Sequence, residues 1–307
     1  MIGRLRHLLS ERLAPFGLGA ADVLIRDAPG GLQTPGRVSA NRHCRLLHTA
    51  DGWAALNLAR PDDYALIPAL TYGAGDDWEA VAAYAATTTS AAFVARAAEM
   101  HVPVALPGEA EPITLAGAPT GCPLGTVLDL SALWAGPLCA GLLARVGAEV
   151  VRVDNSARPD PTPRASPVLD HFLIGAKMRL ALDLTAASDR ARLHRLVADA
   201  DIVVTSGRAA ALARLGLTPE TIAHCTWVAI SGHGFTGAKA MRVGFGDDCA
   251  IAGGLMSWSD GEPAFFGDAL ADPLTGVEAA RAVLAGETGL IDRPLAGIAA
   301  AYAARIS

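Results

Sequence analysis

Residues 126–154 read TVLDLSALWAGPLCAGLLARVGAEVVRVD, and this stretch decides the fold. Residues 126–131 are a short apolar, β-branched run, as expected of a strand buried on both faces. A helix follows over 135–148, with Pro137 in the first turn, where a missing N–H is harmless. EVVRVD is the next strand, and the three pieces make a βαβ unit. The same grammar continues downstream. RLALDL (179–184), DIVVTS (201–206) and WVAIS (227–231) read as strands, separated by helices over 186–200 and 209–215. Apolar strands joined by helices predict an α/β domain: a Rossmann-like parallel sheet, covered on both faces, over residues 121–307.

Upstream, residues 1–120 predict a smaller α+β domain. CRLLHTADGWAALNLA (44–59) reads as a hairpin around Asp51-Gly52, a pair that tolerates positive φ. Pro61 opens a helix running to about Thr71. Two more helices are expected near 76–86 and 90–100, the second capped by Thr89, then a strand over 101–106. Residues 107–122, PGEAEPITLAGAPTGC, carry no period and read as a linker.

The composition agrees. The chain has 307 residues, 51% hydrophobic and 18% charged, enough for two domains and a sizeable core, and it excludes bulk disorder. A net charge of −6 argues against nucleic acid as partner. The N-terminus has no apolar stretch typical of a secretory signal. The longest uncharged segment, 112–128, holds Pro112, Pro119 and Pro123 and cannot span a membrane as a helix. A cytoplasmic, soluble protein is expected. The five cysteines, Cys44, Cys122, Cys139, Cys225 and Cys249, have no metal-ligand spacing and read as buried free thiols. No metal is expected.

Four features invite chemistry. Gly232–Gly237 matches G-x-G-x-x-G after a strand, but no long helix follows to receive a pyrophosphate. Ala135-Gly136-Pro137 occupies the place of a nucleotide-binding turn without its glycine spacing, and Asp154 ends the next strand, where a ribose-binding acid would lie. His233 stands between two glycines, so a ligand can approach it. Asp272, before Pro273 and Gly276, is placed in a turn just ahead of a helix over 277–285, which suits either a nucleophile or an ordinary cap.

Residues 127–298 resemble the class III CoA-transferase family (the CaiB/BaiF type), which includes formyl-CoA transferases and acyl-CoA racemases. The blocks that carry the likeness, in family order, are VLDLSALWAGPLCAGLLARVGAEVVRVD, RLALDL with DADIVVTSGRAAALARLGL, WVAISGHGFTG, GFGDDCAIAGGLMSWSDGEPAFFGDALADPLTG and GETGLIDRPLAGIAAAYA. The resemblance implies a CoA-transferase whose catalytic nucleophile is Asp272. It implies acyl-CoA and a carboxylic acid as substrates, no permanently bound cofactor, and an interlocked homodimer. It places Leu133, Trp134, Ala135, Gly136, Leu182, Ser206, Arg214, Arg242, Gly232, His233 and Gly234 around CoA.

The sequence departs from the family pattern in four places. Thr205-Ser206-Gly207 replaces Glu-Asn-(Phe/Tyr), and Gly175–Arg179 keeps only part of a basic motif. Gly244-Phe245-Gly246 replaces the racemases' Gly-His-Asp, and phenylalanine cannot move a proton, which disfavours racemase or dehydratase chemistry. The hairpin and helices of 41–106 resemble the family's small domain, which normally follows the large-domain segment. These departures leave open a non-catalytic CoA-binding or scaffolding subunit.

Overall fold

A computed structural model describes residues 1–24, 35–121 and 123–307. The chain begins with helices α1 (Ile2–Leu13) and α2 (Ala20–Val23). A hairpin of β1 (Cys44–Thr49) and β2 (Gly52–Asn57) leads to α3 (Pro61–Ala65), α4 (Ile67–Leu70), α5 (Trp78–Ala86), α6 (Ser90–Glu99) and β3 (Val104–Ala105). The sheet region runs β4 (Thr126–Asp129), α7 (Ala135–Arg145), β5 (Glu149–Asn155), α8 (Thr162–Ala165), α9 (Pro167–Ile174), β6 (Met178–Leu182), α10 (Ala187–Asp199), β7 (Ile202–Thr205), α11 (Ala209–Ala213) and β8 (Thr226–Ser231). It ends with α12 (Gly246–Ala252), β9 (Met256–Ser259), β10 (Glu262–Phe265), α13 (Ala271–Leu284), β11 (Leu290–Pro294) and α14 (Leu295–Ile306).

Six strands form one parallel sheet in the order β11-β8-β7-β4-β5-β6. Counted along the chain this is the doubly wound order 3-2-1-4-5-6, whose direction reverses between β4 and β7. The inner strands bury both faces, while the edge strand β6 is largely exposed. Val127, Ile202, Val204, Val228 and Ile230 join one core with α7, α13 and α14. Leu128, Val153, Val203 and Trp227 join the other with α10 and α11. Period-two alternation between two apolar layers is why these strands read as continuous apolar runs.

The hairpin pairs Thr49 with Gly52, so Ala50-Asp51 is its loop. Neither Asp51 nor Gly52 has positive φ. Asp51 Oδ1 instead accepts from Ser90 N (2.7 Å) and Ser90 Oγ (2.8 Å), tying the turn to the start of α6. The helix expected over 61–71 breaks at Leu66, because Pro68 has no N–H to return to the preceding turn. One hairpin face packs with α4, α5 and α6, while Cys44, Leu46 and Ala55 pack on Ile251, Met256 and Phe265.

Residues 107–121 lie along the sheet region. Gly108 N, Ala110 N and Ile113 N donate to Ile251 O, Ala252 O and Gly297 O, and Ala116 N donates to Glu278 Oε2. Helix α1 shares the core of α7 and α13 through Leu5, Leu9 and Leu13. Its Arg12 forks onto the fully buried Glu278 (Nε–Oε1 2.6 Å, Nη2–Oε2 2.5 Å), which also accepts from Tyr302 Oη (2.9 Å). Cys44, Cys139, Cys225 and Cys249 are buried free thiols, and Cys122 lies outside the described residues. Among the described residues, no helix is long and apolar enough to cross a membrane.

Candidate functional site

In a doubly wound sheet, ligands bind beyond the carboxyl ends of the strands where the order reverses. Here that crevice lies beyond β4 and β7. Ala132 N donates to Ser206 Oγ (2.8 Å), joining the two loops across it. Leu133, at φ 67°, donates its N–H to Asp160 Oδ2 (2.9 Å). Trp134, Ala135 and Gly136 follow as the buried start of α7.

Beneath these loops lies an ionic network that sequence reasoning missed. Lys177 Nζ donates to Asp129 Oδ2 (2.7 Å) and Pro137 O (2.7 Å). Arg152 reaches Asp129 (3.3 Å), Asp154 (2.8 Å) and Asp160 (3.0 Å), and Arg179 pairs with Asp154 (2.8 Å). Three cations thus face three carboxylates. Burial alone would raise Asp129, but the charges of Lys177 and Arg152 outweigh it and hold the carboxylate below its ordinary range. Asp154 is spent on this network rather than presented as a ribose acid. No local motif announces such a cluster, since its members come from β4, β5, the loop after β5 and the start of β6.

Arginines gather at the same end of the sheet. Arg208, after β7, has its pKa lowered first by burial and then by the charges of Arg60, Arg214 and Arg158. Its buried Nη1 has no hydrogen-bond partner. Arg214 is exposed at the end of α11. Arg242 stands elsewhere, forked onto Glu109 (2.7 and 2.8 Å) and Val104 O (2.6 Å). Leu182 is buried in the α10 core, with its carbonyl taken by Ser156 N.

Asp272 occupies a second focus. The expected turn before a helix at 277 is instead the first turn of α13, which starts at Ala271. Pro273 is tolerated so early in a helix, and Gly276 lies inside it because α13 crosses α7 closely: a Cβ there would stand 2.6 Å from Ala135 O. This crossing brings the Asp272 end of α13 to the Ala135-Gly136 turn. Asp272 Oδ2 lies against the first residue of α12, 2.4 Å from where a Gly246 Cβ would be. Asp247 braces the approach, accepting from Ala269 N (2.8 Å) and Asn41 Nδ2 (2.9 Å). The Ser231–Gly234 loop closes the same region. Gly234 N donates to Ser231 Oγ (3.1 Å), and Phe235 N donates to Asp292 Oδ2 (2.8 Å). No helix follows Gly237 until α12, which agrees with the reading against a dinucleotide fingerprint. Asp247 and Asp248 were not singled out from sequence, although two acids opening a helix are a capping signal.

Residues 125–289 match the family model for CoA-transferase family III, which is more than half of the chain. The chain belongs to CoA-transferase family III. It is similar to a succinyl-CoA–D-citramalate CoA-transferase of Chloroflexus aurantiacus, at 30% identity over 172 residues, covering 52% of this chain and 43% of that protein. It is also similar to a succinate–glutarate CoA-transferase of Agrobacterium fabrum, at 30% over 181 residues, covering 52% and 45%. The crystal structure of a CaiB/BaiF family protein from Brucella suis superposes with a TM-score of 0.51 and 26% identity, covering 60% of this chain and 55% of that one. The chain spans less than half the length of the two named transferases.

Proposed function

We propose that this chain transfers CoA from an acyl-CoA to a carboxylic acid, with Asp272 as nucleophile. The observation that carries this reading is the place of Asp272: a half-buried carboxylate in the first turn of α13, against a glycine of α12, in a family III chain. A helix N-terminus favours the ionised carboxylate, which is the attacking form. Asp272 attacks the thioester carbon, and CoA leaves as its thiolate, giving a mixed anhydride. The thiolate then attacks the Asp272 carbonyl, releasing the donor acid and leaving an aspartyl-CoA thioester. The acceptor carboxylate collects CoA by the reverse steps, and Asp272 is regenerated.

The crevice beyond β4 and β7 suits the nucleotide end of CoA. Arg208, Arg214, Arg158 and Arg60 offer cationic donors to its phosphates, and a guanidinium matches phosphate geometry in two prongs. Leu133–Gly136 and Ser206 would meet the rest of the cofactor-like substrate from the same end of the sheet. The reading includes a cytoplasmic homodimer and two domains, residues 1–120 and 121–307.

Arg242 favours a second reading, a non-catalytic CoA-binding subunit, because Glu109 already takes a cation the resemblance assigned to CoA. One experiment separates them. The protein is incubated with a panel of acyl-CoAs that includes succinyl-CoA, trapped with hydroxylamine, and weighed intact. An adduct mapping to Asp272 and absent from Asp272→Ala supports transfer. CoA binding by calorimetry with no adduct from any donor supports the subunit.

A further inference from the structure

Three donor atoms converge beside Gly244, which has no side chain to stand between them. A Cβ at this position would stand 2.4 Å from Cys249 Sγ, 3.1 Å from His233 Nε2 and 3.2 Å from Asp248 Oδ2. The three atoms lie within 4.8 Å of one another, and Asp248 Oδ2 and Cys249 Sγ are 3.8 Å apart. Tetrahedral Zn²⁺ with bonds of about 2.0–2.3 Å sets its ligands about 3.3–3.8 Å apart. The carboxylate and the thiol therefore already stand at ligand spacing, and the imidazole nitrogen lies within 4.8 Å of both.

The surroundings of the three donors are specific. His233 Nε2 is buried and has no hydrogen-bond partner. Asp248 is held through Oδ1, which accepts from Asn57 Nδ2 (2.8 Å) and Phe245 N (3.0 Å). That leaves Oδ2 toward Cys249 Sγ, and outer hydrogen bonds of this kind orient metal ligands. Cys249 Sγ donates to Gly232 O (3.4 Å) and lies 3.8 Å from Asp248 Oδ2. A nitrogen, an oxygen and a sulfur donor together match borderline divalent ions rather than Mg²⁺ or Ca²⁺.

We propose that His233 Nε2, Asp248 Oδ2 and Cys249 Sγ form a binding site for a late first-row divalent cation, represented by Zn²⁺, with its fourth position open to water. The Cys249 thiol proton leaves to solvent as the sulfur–metal bond forms, and no electron moves. Thiolate and carboxylate together neutralise the ion. The site fastens the loop after β8 to α12, beside Asp272.

The test is metal binding by the purified full chain, read without any CoA chemistry, so it stands or falls apart from the role of Asp272. Chelator-stripped protein is titrated with Co²⁺ and then back-titrated with Zn²⁺. One Co²⁺ per chain is expected, with a thiolate-to-cobalt charge-transfer band in the near ultraviolet. The band disappears in Cys249→Ala and persists in Cys122→Ala and Cys225→Ala. His233→Ala weakens Zn²⁺ binding by at least about tenfold. No stoichiometric binding by folded wild type, or a band that survives in Cys249→Ala, overturns the proposal. Should Cys249→Ala lose its circular dichroism, His233→Ala decides: unchanged Zn²⁺ affinity refutes the site.

Discussion

Replacing Lys177 with Met removes one charge from the network beneath the α7 loop and keeps most of the side-chain volume. Lys177 and Asp129 are both at 0% side-chain exposure, and their contact is 2.7 Å. Removing one partner of a buried pair leaves a charge without compensation, at about 3–5 kcal/mol. Arg152 stays at 3.3 Å, and Ser131 still hydrogen-bonds Asp129, so the lower end applies, about 3 kcal/mol. At roughly 2–4 °C per kcal/mol for larger domains, Tm falls by about 6–12 °C. The loss also depends on pH, with a definite sign. In the wild type, the folded Asp129 carboxyl lies below its ordinary value. Its contribution is complete above about pH 4 and is lost as pH falls through the folded pKa. In Lys177→Met, burial dominates and the folded pKa rises above the unfolded one, so the variant loses stability as pH climbs through that interval. Thermal unfolding of both proteins from pH 4 to pH 7 therefore shows a small gap that widens toward neutrality. A gap that is constant across this range, or a Tm within about 2 °C of wild type at pH 7, refutes the reasoning.

Two further outcomes follow from the same geometry. Arg208→Ala weakens CoA binding about 10- to 100-fold, because a charge-assisted hydrogen bond contributes about 1.5–3 kcal/mol; calorimetry checks this, and affinity should fall with added salt. Leu9→Ala destabilises the chain by about 2–5 kcal/mol, since Leu9 is fully buried in the α7–α13 core, and urea unfolding would show a peripheral role for α1 if the midpoint did not move.

The elements legible in the sequence are those whose signal is local. β4 through β8 are short apolar runs bounded by polar turns and helical stretches, and the alternating sequence of strand and helix implies a parallel sheet. Helix α6 begins at Thr89 as its capping chemistry requires. Errors arise where a distant neighbour overrides local preference. Asp272 reads as lying in a turn ahead of a helix at 277, yet α13 already starts at Ala271, and Gly276 fits inside it because only a missing side chain lets that helix cross α7 so closely. Equally invisible to a linear reading, the N–H groups of Gly108, Ala110, Ile113 and Ala116 find their acceptors in Ile251, Ala252, Gly297 and Glu278.

The α/β class, the hairpin, the order of strands and helices along the sheet region, and the family to which residues 125–289 belong are all legible in the linear chain. These properties live in the spacing of apolar residues and in short motifs, which a linear reading can see. Only the tertiary structure decided the rest. Glu278 meets Arg12 and Tyr302, Lys177 meets Asp129, and His233 meets Asp248 and Cys249 across separations no periodicity encodes. Charges and donors so far apart in the chain interact because packing the two apolar faces of the sheet brings their carriers together, and low-dielectric surroundings then make each pairing obligatory.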